Sequence, residues 1–258
     1  MFRDLWRTFA RLFATPTSRA QVGGLILVMA AVPVAEMLVI RLFSHLIVSG
    51  PDRFETDPGG VVRDGVIFFV AFGVARGVHH LVRFVRVRVF RRRFDQQAHG
   101  RSPAQESWDW ALAFDLSGVL VNLVQIVAFG LLFVYLDVVT GAVALAVSGA
   151  VLAGVALMYS RQLGLQLGYV SMGSRPGTVA VGQRVGTRIR TAETGAALAS
   201  AGMVVVLVTV LWRALDHQVA TADAIVFFLA LRIAFGQLGA LSGGMMRFAR
   251  ASARRGAR

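Results

Sequence analysis

Residues 116–158 read LSGVLVNLVQIVAFGLLFVYLDVVTGAVALAVSGAVLAGVALM, two apolar runs separated by a single charged residue, Asp137. A hydrocarbon core of about 30 Å takes about 20 helical residues at ~1.5 Å each, so either run is long enough to cross it. Asp137 leaves room for a turn of only a few residues. The stretch therefore predicts two successive membrane helices, Leu116–Leu136 and Val138 to about Met158.

Working outward, four more runs have the same character. The first span, about Gln21 to Val48, carries Pro33, Glu36 and Arg41, which predicts a long, kinked helix with a polar side facing other helices. Ser49 to Asp64, with Pro51, Pro58, Gly59 and Gly60, reads as a polar, net-acidic loop. The second span starts near Val61 to Gly65 and runs through Arg76, His79 and His80 into LVRFVRVRVFRRRFDQQ, up to a break at His99-Gly100-Arg101-Ser102-Pro103. The VRVRV alternation imitates a strand, but an isolated strand beside a bilayer has nothing to satisfy its backbone, so a helix is predicted. The third span rises from Trp108 and Trp110, an aromatic pair suited to an interface. The fourth continues through Arg161 and Gln166 to a second break, Ser174-Arg175-Pro176-Gly177. A return segment leads into the fifth span, Ala196–Trp212, and the sixth runs from Ala224 to about Met246 before a basic tail. At the other end, Met1–Ala14 places Phe2, Leu5, Trp6, Phe9, Leu12 and Phe13 on one helical face and its charges elsewhere. That is the pattern of a helix lying in the membrane interface, and no cleavable signal precedes it.

Composition agrees. The 258 residues are 56% hydrophobic with a net charge of +13, and the mean hydropathy is +0.64. All 27 basic residues are arginine, and lysine and cysteine are absent. Schiff-base chemistry, a P-loop lysine, disulfides and thiolate metal sites are thereby excluded. The positive charge sits between membrane-length apolar runs, so it is read as a topology signal and not as a nucleic-acid footprint. Six spans put 21 arginines on the side that holds both termini, leave Arg53, Arg63 and Arg213 on the other, and keep Arg41, Arg76 and Arg232 within spans. By the positive-inside rule both termini are cytoplasmic, in an inner or plasma membrane. Spans two and three with their extensions, and likewise four and five, run about 35 to 39 residues, leaving roughly 20 Å of helix beyond the bilayer. This predicts two cytoplasmic helical hairpins tipped by glycine and proline.

The layout resembles the transmembrane domain of the ABC exporter family. The sixth-span stretch TADAIVFFLALRIAFGQLGALSGGMMRFARASARR, with mid-helix Arg232 and the closing Ala251 to Arg254, is the most similar part, and span one with its central Pro33 is similar too. The resemblance implies an all-α membrane fold, with an amphipathic elbow helix over residues 1–18 and a six-helix domain over 19–258. It also implies a homo- or heterodimer of transmembrane subunits that transports a substrate and contacts membrane lipid. The hairpin tips, Gln97, His99, Gly100 and Arg101 in one and Ser174, Arg175, Pro176 and Gly177 in the other, would couple to a nucleotide-binding ATPase. The hairpins look shorter than the family's usual ones. The chain stops at Arg258, where the family's linker to an ATPase would begin, so ATP and Mg are expected on a separate subunit and no cofactor on this chain. A degenerate domain serving as a membrane scaffold or assembly factor is the alternative. Leu241-Ser242-Gly243-Gly244-Met245 imitates the ABC ATPase signature, but it ends a membrane span and is read as small residues for close helix packing.

Ionisable residues inside spans are costly and usually face partners or water. Glu36, Arg41, Arg76 and Arg232 are therefore substrate-pathway candidates, with Glu36 the counter-charge to Arg76 or Arg232 and a structural ion pair the competing role. Asn122 and Gln125 join them, either as pathway residues or as interhelical hydrogen-bonding groups. The adjacent His79 and His80 point in different helical directions, which suits joint metal ligation poorly. No catalytic set has motif spacing, so the chain itself is not expected to be an enzyme.

Overall fold

In the computed structural model, which describes residues 1–13, 15–95, 103–171 and 181–256, the described chain is helical throughout apart from short turns. The helices are α1 (Phe2–Leu12), α2 (Pro16–Thr56), α3 (Pro58–Asp95), α4 (Pro103–Leu136), α5 (Val138–Ser171), α6 (Val181–Leu215) and α7 (Thr221–Gly256). Six of them, α2 to α7, are long and apolar enough to cross a membrane. Large apolar side chains such as Phe69, Phe84, Leu131 and Trp212 are exposed, as lipid-facing groups would be. The chain is an integral membrane protein by this criterion.

α7 is the central helix and packs against α2, α4, α5 and α6. Leu231, Leu238, Leu241, Met245 and Phe248 along it are fully buried. α3 lies at the periphery and packs chiefly on α2. α1 packs on α4, burying Leu5, Phe9, Leu12 and Phe13, with the Phe13 ring edge-on to Phe90 at 5.7 Å. Arg19 fastens the turn after α1 by donating to the Phe13 carbonyl (2.8 Å) and the Ala10 carbonyl (3.0 Å).

The region expected to be a loop, Ser49 to Asp64, is instead helical except at Asp57. α2 runs through both Pro33 and Pro51, reaching 41 residues. The Asp-Pro-Gly-Gly run that reads as a loop is a helix start: Asp57 Oδ1 accepts the Gly60 N–H at 2.9 Å, and Pro58 occupies the first helical position, where a missing N–H costs nothing. A Cβ at Gly60 would meet the Asp57 carboxylate, so a larger residue there would make the capping side chain shift. Arg53 and Asp64 pair across this turn at 3.2 Å.

The VRVRV segment is helical, as expected, and lies within α3, which at 38 residues is about 57 Å long. The arms α3–α4 and α5–α6 extend toward two connections, residues 96–102 and 172–180, that lie outside the described residues. All the expected coupling residues fall there: Gln97, His99, Gly100, Arg101, Ser174, Arg175, Pro176 and Gly177. We refer to this as the arginine-rich end and to the opposite one as the tight-turn end.

At the tight-turn end, Asp137 alone separates α4 from α5. Its Oδ2 accepts the Thr140 N–H (2.8 Å) as an N-cap, and Oδ1 accepts a hydrogen bond from Arg213 Nη2 (2.7 Å). Burial alone raises the Asp137 pKa, but the Arg213 and Thr140 hydrogen bonds outweigh it and hold the carboxyl below its ordinary value. A depressed carboxylate pKa means stabilisation that is complete above the usual range, near pH ~4, and is lost as pH falls through the folded-state value. Asp137→Ala is therefore expected to cost about 2 kcal/mol at neutral pH. Unfolding measured against pH should show the gap between parent and variant closing below about pH 4.

Candidate functional site

The paired charges divide into two groups, one joining helices to one another at partly exposed positions and one gathered within the bundle. Arg41 belongs to the first. It donates from Nε to Asp223 Oδ1 (2.6 Å), from Nη2 to Asp223 Oδ2 (3.1 Å) and from Nη1 to the Tyr135 hydroxyl (3.2 Å), joining α2, α7 and α4. Arg213 with Asp137 does the same for α6 and α5, and Arg247 with Asp115 (3.0 Å) for α7 and α4 at the arginine-rich end.

Glu36 belongs to the second group. Its side chain is buried on α2, with Oε1 3.5 Å from His79 Nδ1 and 3.8 Å from Arg76 Nη1, both on α3. These are ion-pair separations, and Oε1 accepts no hydrogen bond among the described residues. Arg76 is thus one expected counter-charge. Arg232 is not: it is exposed on α7 and has no hydrogen-bond or ion-pair partner among the described residues. The reason is helical phase, because the α7 face that meets α2 and α4 carries Leu231, Ala234 and Leu238 and turns position 232 outward.

Beside Glu36 lies a half-open cleft of about 410 Å³ between α2, α3, α4 and α7. From α3 it receives His79, Arg83 and Arg86, which share one face because they are spaced i, i+4, i+7. From α4 come Asn122 and Gln125, one turn apart, and from α7 comes Gln237. Met29 and Pro33 line the α2 side. Pro33 has no N–H to offer the Met29 carbonyl, which frees backbone polarity at this wall. Val32, Val82, Val121 and Phe114 supply the apolar surface.

Arg86 is the best-anchored member. Its Nη2 donates to Ser117 Oγ (2.6 Å) and to the Phe114 carbonyl (3.1 Å), and the guanidinium stacks over the Phe114 ring at 4.6 Å. Its Nε is buried without a hydrogen-bond partner among the described residues. Arg83, one turn away, has no ion-pair partner among them either. No carboxylate lines the cleft. The site is therefore basic, lined with amides, and able to bind an anion without displacing an internal partner.

Asn122 and Gln125 are brought together as the one-turn spacing implies, and Glu36 and Arg76 lie adjacent. Arg41 and Arg232 are separate from them. Sequence reasoning missed Arg83, Arg86, Gln237 and the cleft role of His79. The i, i+4, i+7 spacing on α3 was the available signal, hidden because Arg83 and Arg86 were counted with the basic extension. His79 and His80 diverge, with rings at 72° and His80 exposed, in keeping with the poor joint-ligation geometry expected of neighbours.

The LSGGM segment packs as expected. Leu241, Ser242, Gly244 and Met245 are buried, Ser242 Oγ donates to the Ala192 carbonyl of α6 (3.2 Å), and a Cβ at Gly244 would lie 3.0 Å from Val119. No protein-family model matches the chain, and no curated protein matches its sequence.

Proposed function

We propose that the chain is the transmembrane, permease-like subunit of an ABC-type exporter, driven by an ATPase on a separate polypeptide that binds ATP and Mg. In this reading α1 is the elbow helix, both termini are cytoplasmic, and the arginine-rich end faces the ATPase through two helical hairpins. Two such subunits, or one and a relative, enclose a pathway that opens alternately to either side of an inner or plasma membrane.

The observation that carries the reading is the cleft, where His79, Arg83, Arg86, Asn122, Gln125 and Gln237 converge between four spanning helices. His79, Asn122, Gln125 and Gln237 are polar groups set among apolar spanning helices, where they are expensive and mark substrate paths, and Arg83 and Arg86 stand at the cleft's arginine-rich side. Arg232 adds support. It lies about 16 Å along α7 from Thr221, and a central arginine facing hydrocarbon costs roughly 2.5–3.5 kcal/mol on insertion scales. A second subunit or an aqueous path on that face removes the cost. One observation favours the scaffold alternative: Arg41, among the pathway candidates, is committed to a structural pair with Asp223.

Tagged protein purified from its native membrane is expected to carry an ATP-hydrolysing subunit with its own Walker lysine; a homogeneous, partner-free dimer would overturn the reading. Arg232→Ala separates the alternatives, because that side chain is exposed and holds no hydrogen bond or ion pair among the described residues. A transport subunit loses flux at unchanged abundance, whereas a scaffold loses abundance alone.

A further inference from the structure

We propose that the cleft between α2, α3, α4 and α7 binds the phosphate-type anionic head group of a membrane amphiphile, whose apolar portion lies along Val82, Val121 and Phe114. As the cargo class of the transport subunit this rests on the preceding section; as a binding site it stands on the geometry alone.

Three independent features converge. The first is Gln125. Its side chain lines the cleft at only 2% exposure and makes no hydrogen bond to another described residue. The little surface it keeps opens on the cleft, so its carboxamide is free to hydrogen-bond a polar group that enters there. Asn122 and Gln237 present further amides to the same space, also without hydrogen bonds among the described residues.

The second feature is preorganised positive charge. Ser117, the Phe114 carbonyl and the Phe114 ring fix the Arg86 guanidinium on one side and leave its Nε–H unused. Arg83, at i−3 on the same face, has no counter-ion among the described residues. A phosphate accepts from several donors at once and rewards the planar, always-charged guanidinium over any other cation. Glu36, the nearest buried carboxylate, is already shared between His79 and Arg76 and does not line the cleft. The charge imbalance therefore selects an anion.

The third feature is the mixed wall and the half-open form. Valines, Met29 and the Phe114 face make up much of the lining. α3, which forms one side, packs chiefly on α2 and has no other spanning helix against most of its surface. A wholly soluble anion would leave those apolar walls unsatisfied, whereas an amphiphile entering beside α3 covers them.

The test uses the full chain in detergent, titrated separately with dioctanoyl phosphatidylglycerol, dioctanoyl phosphatidylcholine and inorganic phosphate, with binding read by calorimetry and by shift in melting temperature. Phosphatidylglycerol is expected to bind saturably, at least about tenfold more tightly than either alternative. Arg83→Gln and Gln125→Leu are each expected to weaken it by about tenfold. Neither side chain holds a hydrogen bond among the described residues, so both variants should fold even where Arg86→Gln does not. Arg88→Gln, an exposed neighbour that does not line the cleft, should change affinity less than about twofold. Equal losses for Arg83→Gln and Arg88→Gln would reduce the effect to diffuse surface charge and overturn the site. Inorganic phosphate binding as tightly as the lipid would overturn the amphiphile assignment. Reconstitution with an ATPase partner separates the two readings: specific binding without ATP-driven movement of a fluorescent phosphatidylglycerol would remove the transport role and leave the site standing.

Discussion

Arg41→Ala is expected to destabilise the protein by about 3 kcal/mol, the larger part of it from the carboxylate left behind. Asp223 sits in the first turn of α7 with its side chain 13% exposed, and Arg41 meets it with two parallel N–H···O bonds. Without Arg41 the remaining basic side chain within 4 Å of Asp223, among the described residues, is His45, at 3.6 Å. Tyr135 also loses the guanidinium, which lies 5.4 Å from its ring centroid. Unfolding of the purified protein in detergent measures the cost, and a double-mutant cycle with Asp223→Ala apportions it. The double variant should recover much of the loss, because removing both charges leaves nothing buried and unpaired. Arg41→Lys should rescue only in part, since an ammonium cannot reproduce the two-pronged contact. A double variant no more stable than Arg41→Ala would show that the pair is incidental to the packing of α2 on α7.

Gly195→Val should cost a comparable amount, about 3 kcal/mol, for a steric reason. α6 and α7 cross where small residues of α6 recur every three or four positions, Ala192, Gly195, Ala199 and Gly202. Even a bare Cβ at Gly195 would lie 2.7 Å from Ser242 Cβ and closer still to Ser242 Oγ. At Gly202 it would meet Val147 at 2.8 Å and Phe235 at 3.0 Å. Helices in lipid associate through such close packing because no hydrophobic drive separates protein from acyl chain. Pushing the two apart also breaks the hydrogen bond from Ser242 to the Ala192 carbonyl. Gly149→Ala is the control: its Cβ has nothing within 4 Å, and the change should be neutral or stabilising by up to about 1 kcal/mol. Thermal inactivation of both variants in one detergent makes the comparison, and equal melting points would refute the steric account.

Sequence legibility followed what each residue had to satisfy. The six spans were readable because apolar length is a local property, and Asp137 was readable because one charge between two such runs has no other place to go. The stretch from Ser49 to Thr56 was misread for a physical reason: proline, glycine and acids are shared by loops and by helix ends in water, and their count does not tell which. Asp57-Pro58 is distinguishable only by order, an acid followed by proline, which is the order of a helix start. Glu36 and Arg76 could be paired from their depth in neighbouring spans, whereas the Glu36–His79 contact depends on the rotation of α3 about its own axis. Arg41 with Asp223 was out of reach, since 182 positions separate them and only the packing of α2 on α7 joins them. The cleft was half legible. Asn122 and Gln125 announced themselves as amides in an apolar run, but Arg83 and Arg86 lay in a segment already explained by topology.

The single-residue joint at Asp137 has a mechanical consequence. A side chain at Gly141 would collide with the Val134 backbone, so the two rods meet there without slack, and the Arg213 clamp adds a third to the same corner. Rods welded at one end tilt as a frame, and α7 is gripped on four sides. Among the spanning helices α3 has the fewest neighbours, packed chiefly on α2 from its start after Asp57. Beside the mouth it is held to α4 by the Arg86 bonds to Ser117 and the Phe114 carbonyl, so breaking those bonds would loosen one wall of the cleft while the rest of the frame stands still.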